Sequence, residues 1–426
     1  MKLNYANGSY NISFFNMIIE TNEELSQEVI RKNSSTFIHE FIHYLQDLIL
    51  PYNIRYNLSN VRQFSDILHY AHSHGSIERP FDKWSNDSNM LTMQFALSFG
   101  SVIENVSFVN NVSKIGYAAS DFSICSGFDS YLRMQREHRI YYYILPVFEN
   151  NKSIPYHLGA RDLLEYIAYK IELKNFPDRP KAPQLPYKSI DFIFNQYGLS
   201  HISNDIRLCI AERCLYNDNP IHFLLNTLLD DDEFKKYISN SSYEDIYKYL
   251  YFSITVTRDG QSESLIDKTQ RRLKQFVSEL QMQYGSFNEI EKWILKVNDF
   301  VEERLNGRFI FSDLYTMNNN EVLRFINEAI NYIGVPLVMN LEEKYISVQT
   351  NEVDVSQFIQ FFILQNFISF VKSKQKICPI YGFCKANGGN CNENCVLDKQ
   401  KMIKGNDDCY YRKFLKAYGL LDISFN

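Results

Sequence analysis

The segment His39-Glu40-Phe41-Ile42-His43 places two histidines four positions apart, with a glutamate directly after the first. Residues at this spacing lie on one face of an α-helix, so both imidazoles could bind the same metal ion. Zinc is commonly held by such a pair, and the intervening glutamate can act as a base towards a water molecule at the metal. The alternative is a chance pattern of two ordinary helix histidines.

The helix that must carry this motif is predicted from Thr36 to Leu50. Apolar residues occur on nearly all its sides and indicate a buried helix: Phe37, Ile38, Phe41, Ile42, Leu45, Leu48 and Ile49. Buried histidines need polar partners, and a zinc ion is one such partner. Gln46 and Asp47 follow His43 by about one turn. Either could hydrogen-bond a ligand imidazole, or both could be ordinary polar residues of the helix surface.

A hydrolytic zinc site uses three protein ligands and keeps its fourth position for water. Three histidines shortly after the motif, His69, His72 and His74, are candidates for the third ligand. A glutamate from a second helix is the other solution. Glu165 fits best, because it is flanked by apolar residues on a predicted buried helix and would need a cation there. Glu104 is a rival with similar apolar neighbours.

The motif at His39–His43, followed at a distance by Glu165-Tyr166-Ile167-Ala168, resembles the gluzincin branch of the HExxH zinc metallopeptidases, or zincins. The resemblance covers two short helices. It implies a zincin-like catalytic region in which His39, His43 and Glu165 hold a catalytic Zn²⁺. Glu40 would then be the general base that cleaves a protein or peptide substrate. An oxyanion donor would also be needed, and the sequence offers three candidates near Glu165: Tyr156, His157 and His138.

Five of the eight cysteines fall near the C-terminus, among glycine, proline and asparagine residues: Cys378, Cys384, Cys391, Cys395 and Cys409. Such a segment has too few apolar residues for a core of its own, and thiolate coordination of a structural Zn²⁺ would organise it. An iron–sulfur cluster, disulfides and free thiols are the alternatives. The remaining cysteines are predicted to be small buried side chains: Cys125, Cys209 and Cys214.

The overall composition is typical of a globular protein, with 45% hydrophobic and 22% charged residues in a chain of 426. A net charge of −6 argues against nucleic-acid binding as the main task. The sequence shows no signal peptide. Glutamines and an asparagine interrupt the longest apolar run, Val355 to Val371, which predicts a buried helix rather than a membrane span. These features predict a cytoplasmic protein that does not contact a membrane.

The chain is predicted to be α+β and predominantly helical. Residues 1–20 predict a β-hairpin with Asn7-Gly8 as its turn, and four prolines at every third position predict a polyproline II connector. Four regions follow: a zincin-like catalytic region with short N-terminal strands (1–176), the Pro-rich connector (177–187), a helical accessory region that could bind a protein partner (188–373) and a Cys-rich module (374–426).

The motif favours a zinc-dependent peptidase, and a non-catalytic interaction protein with a structural zinc or an accidental HExxH is the alternative. Glu40 distinguishes them, since a structural site needs no base and is closed by a fourth protein ligand. Hydrolysis of a non-peptide amide is a third hypothesis, because its zinc chemistry is the same. A cytoplasmic peptidase would need regulation, as a toxin, a defence effector or an enzyme with one dedicated partner.

Overall fold

A computed structural model describes residues 2–5, 8–100, 108–129, 134–150, 152–178, 182–256, 261–283, 288–346, 356–389, 391, 394–397 and 409–426. Within these residues the protein is α+β and predominantly helical, as the sequence predicts. No helix in the described part of the chain is both long enough and apolar enough to cross a membrane.

The strands are β1 (Lys2–Tyr5), β2 (Gly8–Asn11), β3 (Asn16–Ile19), β4 (Ser76–Ile77), β5 (Lys114–Ile115), β6 (Ala119–Asp129), β7 (Met134–Glu149), β8 (Lys152–Leu158), β9 (Thr255–Val256), β10 (Ser262–Glu263), β11 (Leu337–Met339), β12 (Tyr345–Ile346) and β13 (Ser424–Phe425).

The helices are α1 (Gln27–Lys32), α2 (Ser34–Ile49), α3 (Pro51–His74), α4 (Asn86–Phe99), α5 (Ala160–Asn175), α6 (Ser189–Gln196), α7 (Asn204–Cys214), α8 (Pro220–His222), α9 (Asp232–Asn240), α10 (Tyr243–Tyr251), α11 (Leu265–Gln283), α12 (Asn288–Leu305), α13 (Ile310–Thr316), α14 (Asn319–Ile333), α15 (Ser356–Val371), α16 (Tyr381–Ala386), α17 (Asn394–Leu397) and α18 (Tyr410–Ala417). A π-helical segment, Phe223–Leu228, follows α8.

One sheet joins distant parts of the chain. Its strand order is β1-β2-β3-β11-β12; β11 runs parallel to β3, and the other neighbouring pairs are antiparallel. β3 lies in the predicted catalytic region and β11 in the predicted accessory region, so the two regions share this sheet. Their buried side chains also belong to one apolar cluster. The four predicted regions stay a prediction, because a shared sheet and core give no sharp boundary between the first and the third.

The second sheet leads the chain into α5. Its long strand β7 pairs antiparallel with β5, β6 and β8. Gly159 connects β8 to α5, and a Cβ atom at this position would lie 2.2 Å from the carbonyl of Phe99. Only glycine therefore lets the start of α5 pack directly against the end of α4.

The predicted N-terminal hairpin forms, but the predicted turn is wrong by one residue. Tyr5 of β1 lies opposite Gly8 of β2, so the connection falls on residues 6 and 7, which are outside the described residues. A Cβ atom on Gly8 would lie 2.5 Å from Thr36 Cγ2 and 3.0 Å from Glu40 Oε1. The glycine is therefore required by the close approach of β2 to α2, rather than by the turn.

The described parts of the connector do not form a continuous polyproline II segment. Residues 177–178 and 186–188 are turns. Leu185 forms a β-bridge with Val109, with backbone N–H···O distances of 3.1 and 3.2 Å. Because Leu185 and Tyr187 are buried, this part of the connector, residues 182–187, packs against the protein, and we call it the strap. Its packing overrides the polyproline II conformation that the three-residue proline period favours. Residues 179–181 lie outside the described residues.

Candidate metal centre

Helix α2 lies between strand β2 on one side and helix α5 on the other. It covers the predicted helix and starts two residues earlier, at Ser34. Every residue from Ile38 to Ile49 is buried, as the apolar pattern predicts. The histidine motif is therefore inside the protein, and both of its imidazoles approach Glu165 of α5.

Three atoms of the kind that bind metals meet between α2 and α5. His39 Nε2 lies 3.1 Å from His43 Nε2 and 3.2 Å from Glu165 Oε2, and His43 Nε2 lies 3.4 Å from that same oxygen. Atoms bound tetrahedrally to zinc at about 2.0–2.1 Å are themselves about 3.3 Å apart. The group could therefore hold a metal ion without displacement of its side chains.

Hydrogen bonds to the Nδ1 atoms of the two imidazoles orient both Nε2 atoms towards this point. His39 Nδ1 lies 2.8 Å from Glu172 Oε2, and it donates its proton there because an ionised carboxylate only accepts. Gln46 donates its amide N–H to the carbonyl of Leu164 at 3.1 Å, so its Oε1 accepts from His43 Nδ1 at 2.7 Å. Both Nε2 atoms then present lone pairs to the centre, as neutral imidazole ligands do.

Buried negative charge surrounds this point. Glu40, Glu165 and Glu172 are at most 1% exposed. Burial raises the pKa of Glu165, but positive charge on the neighbouring His43 and His39 rings would outweigh burial and lower this pKa to about 2. When both rings are neutral, as metal ligands are, a bound cation must supply that positive charge instead. A buried carboxylate beside two imidazole lone pairs needs a cation. Within the described residues, no further His, Cys, Asp or Glu joins the three-residue group, which leaves one tetrahedral position for a ligand from outside the group.

Strand β2 covers the glutamate of the motif. Glu40 is fully buried, and its Oε1 lies 3.0 Å from where a Cβ atom of Gly8 would be. From the same strand, Tyr10 stacks on His43 with ring centroids 6.5 Å apart. Any side chain larger than hydrogen at position 8 would therefore press on the carboxylate of Glu40.

Only one of the two polar residues after the motif contacts a histidine. Gln46 bonds His43, as described above, whereas Asp47 accepts hydrogen bonds from the Tyr10 hydroxyl at 3.0 Å and the Ser13 N–H at 2.6 Å. Burial raises the pKa of Asp47 to about 7, although these bonds favour its ionised form. Asp47 therefore ties the first sheet to α2 rather than orienting a ligand.

The other candidates for a third ligand lie elsewhere. His69, His72 and His74 are exposed near the end of α3, and His72 Nε2 approaches the carbonyl of Tyr418 at 3.1 Å. Glu104 lies outside the described residues. Of the four candidates that the structure describes, Glu165 is the one that lies beside the histidine pair.

The candidate oxyanion donors have other partners. The Tyr156 hydroxyl donates to Asp162 Oδ1 at 2.7 Å. His157 Nε2 lies 2.9 Å from the Leu97 carbonyl, and burial lowers the pKa of this histidine to about 4. His138 is in β7, with its side chain outside the described residues. The two donors with described side chains, Tyr156 and His157, are therefore engaged in other hydrogen bonds.

Sequence reasoning missed two charged residues of α5 that belong to this region. Glu172 follows Glu165 by seven positions and Arg161 precedes it by four, so all three share one helix face. Arg161 donates to the Tyr156 hydroxyl at 3.1 Å, and its charge interacts with that of Glu165. Their spacing from Glu165, which places them on its face of the helix, was the signal that could have identified both.

The centre is closed. None of its side chains is more than 1% exposed. Tyr187, from the strap, meets the His39 ring edge-on with centroids 6.2 Å apart. The Tyr187 ring also packs against Tyr169 and Phe108, at centroid distances of 5.4 and 6.4 Å. A large substrate could reach the histidines only after a covering segment moves.

Glu172→Gln should weaken metal binding about 10–100-fold, the usual effect of losing a partner behind a histidine ligand. The glutamine can still accept from His39 Nδ1, but it lacks the charge that makes the imidazole a stronger donor to a metal. Competition with a chromophoric chelator measures the affinity. Glu28→Gln, at an exposed position of α1, is the matched control and should bind as the native protein does. Equal affinities in both variants would contradict this role.

The cysteines outside the C-terminal group behave as predicted where they are described. Cys209 and Cys214 are fully buried in α7, and Cys125 is in β6 with its side chain outside the described residues. None of the seven cysteines with described side chains forms a disulfide. Disulfides, one alternative for the C-terminal group, are therefore not what the structure contains there.

Comparison of the chain with protein families, curated proteins and solved structures finds no match. Any functional conclusion must therefore come from the geometry of the centre itself.

Proposed function

We propose that this protein is a zinc-dependent peptidase of gluzincin-like type. The observation that carries the proposal is the convergence of His39 Nε2, His43 Nε2 and Glu165 Oε2 at 3.1–3.4 Å. Glu40, the candidate base, directly follows His39 in the sequence. Three protein ligands are typical of catalytic zinc, whereas structural zinc has four. Two imidazole nitrogens among three ligands favour zinc over magnesium or calcium, which prefer oxygen.

The protein groups have separable roles in this proposal. A zinc ion held by the three ligands would lower the pKa of a bound water and polarise the substrate carbonyl. Glu40 would serve as the general base for that water and would return the proton to the leaving amine. Glu172 and Gln46 keep both imidazoles in the tautomer that leaves Nε2 free for the metal.

Arg161 is the residue best suited to stabilise negative charge on the substrate carbonyl oxygen. It precedes Glu165 by one helical turn on the same face of α5. Its guanidinium donates to Tyr156, while its buried Nε has no hydrogen-bond partner among the described residues. Tyr156 is less suitable, since its proton is already donated to Asp162.

The closed centre suits an enzyme with controlled access. Displacement of the strap around Tyr187 would uncover His39, because the tyrosine ring lies against that imidazole. Such control fits a cytoplasmic peptidase that acts as a toxin, as a defence effector or on one dedicated partner, since a permanently open site would endanger other proteins.

A second function has one observation in its favour, the complete burial of the group. In an interaction protein, the same three residues would bind a metal that only stabilises the fold. Such a protein would gain stability from the metal and would cleave nothing.

The deciding experiment profiles cleavage of a proteome-derived peptide library by mass spectrometry. We expect zinc-loaded protein to create new termini with a consistent residue preference. Chelation should abolish them and added zinc should restore them. A protein that binds one metal in this centre and still creates no new termini would instead support the structural role.

A further inference from the structure

The five C-terminal cysteines converge although they come from separate positions in the fold. We call them the thiol cluster: Cys378, Cys384, Cys391, Cys395 and Cys409. Cys384 is in α16 and Cys395 is in α17, while Cys409 directly precedes α18. The Cys384 thiol lies close enough to the other four to interact with each of them. The folded chain therefore brings all five sulfurs into one neighbourhood.

Direct contacts join the members of the cluster. The Cys378 N–H donates to the Cys395 carbonyl at 2.9 Å, and the Cys391 thiol contacts those of Cys384 and Cys395. Gly389 donates to the Cys384 carbonyl at 2.7 Å, and a Cβ atom on this glycine would lie 2.9 Å from that oxygen. The glycine thus lets the loop fold back over α16 and bring Cys391 to Cys384.

The segment between α16 and α17 has few apolar residues of its own. Phe383 of α16 belongs to the main apolar core, and its ring packs on Phe362 of α15 and Tyr345 of β12 at centroid distances of 4.9 and 5.4 Å. Beyond it, residues 385–394 contain only Ala386 and Cys391 as apolar residues. Thiols are weak hydrogen-bond donors and acceptors, so their mutual contacts contribute little order by themselves.

We propose that four of the five thiols bind one structural Zn²⁺ as thiolates. Zinc takes four thiolates in tetrahedral coordination, and its binding would stabilise a segment that has few apolar residues of its own. The cluster is separate from the group of His39, and the proposal does not depend on the function proposed above.

Binding would require the sulfurs to draw together. Among the described residues, only the group of His39, His43 and Glu165 has three ligand atoms within 4.8 Å of one another. One torsion with three staggered positions places each cysteine sulfur. Rotation about these torsions is the movement that the proposal requires, and Cys391 already interacts with the thiols of Cys384 and Cys395.

Cobalt substitution in the full, reduced chain tests this site. Tetrahedral cobalt thiolate absorbs strongly in the visible and has a sulfur-to-cobalt charge-transfer band, which histidine and carboxylate ligands cannot produce. We expect this band in the native protein, and we expect it to persist in His39→Ala. Single Cys→Ser variants of the cluster should lose it at four positions and keep it at the fifth. Cys209→Ser and Cys214→Ser, in α7, are the matched controls and should keep it.

A mercurial titration of the native protein avoids any dependence on how the variants fold. Release of one zinc ion as four thiols react would support the proposal. No charge-transfer band in the reduced native protein would overturn it, as would a band that all five Cys→Ser variants retain. Iron and inorganic sulfide in the purified protein would also overturn the proposal, because they would indicate an iron–sulfur cluster instead of zinc. Loss of the band in His39→Ala would show that the cobalt signal does not report a separate site.

Discussion

Replacing Glu40 by glutamine should lower the rate of peptide-bond hydrolysis about 10²–10⁴-fold, the usual contribution of a general base. Glutamine has nearly the same shape as glutamate but cannot accept the proton of the attacking water. It should also fit the space beneath Gly8 without moving β2, because the two side chains have the same heavy-atom arrangement. The rate of release of a fluorogenic peptide product, chosen from the library results, measures the effect.

Metal content must be measured in the same samples. Loss of a general base lowers the rate and leaves the metal bound, whereas loss of a ligand removes the metal as well. Glu40→Gln should keep the native amount of zinc, since Glu40 is not a member of the three-ligand group. Glu28→Gln, the exposed control, should keep both zinc and activity. If Glu40→Gln were fully active, Glu40 would not be the base, and the proposed mechanism would be wrong even with zinc bound.

The helix that carries His39 and His43 could be predicted from local sequence because its two signals are local. The spacing of His39 and His43 follows from the helical period, and the surrounding apolar residues predict burial wherever the helix packs. Glu165 was predicted by the same reasoning, as a carboxylate among apolar residues on a second helix. That reasoning selected the residue but could not show that α5 packs against α2, which depends on tertiary contacts.

Other features depend on contacts that no local pattern reveals. The pairing of β3 with β11 joins residues 16–18 to residues 337–339, and such short strands carry almost no signal of their partner. Asn7-Gly8 has the composition of a hairpin turn, yet Gly8 is needed where β2 passes over Glu40. In both cases, long-range packing decides what the local propensity leaves open.

The strap shows the same competition between local preference and packing. Its proline period favours polyproline II, but the β-bridge at Leu185 and the burial of Tyr187 give it a different path. The proline pattern predicted a connector between α5 and α6. It could not predict that this connector covers His39, because the contact joins residues that are far apart in the chain.

Replacing His39 by alanine should remove one metal ion per chain and the stabilisation that this metal provides. A ligand that binds only the folded state stabilises it by about 4 kcal/mol at a free concentration 1,000 times its dissociation constant. The native protein should therefore melt at a higher temperature when zinc is added, and the variant should lose most of this shift. Elemental analysis and thermal melts with and without zinc measure both effects. Glu165→Ala should behave in the same way, because it removes another ligand of the same group.

His74→Ala is the matched control, since His74 is an exposed histidine at the end of α3 that hydrogen-bonds the Tyr70 carbonyl and stacks on the Tyr70 ring within its own helix. It should retain the metal and the zinc-dependent shift. Counting ions, rather than testing for their presence, separates this centre from the thiol cluster, because a zinc ion held by cysteines would remain in His39→Ala. If His39→Ala kept the native metal content and the native shift, the three converging atoms would not be a metal centre. The peptidase proposal would then fail together with it, because Glu40 would have no activated water from which to take a proton.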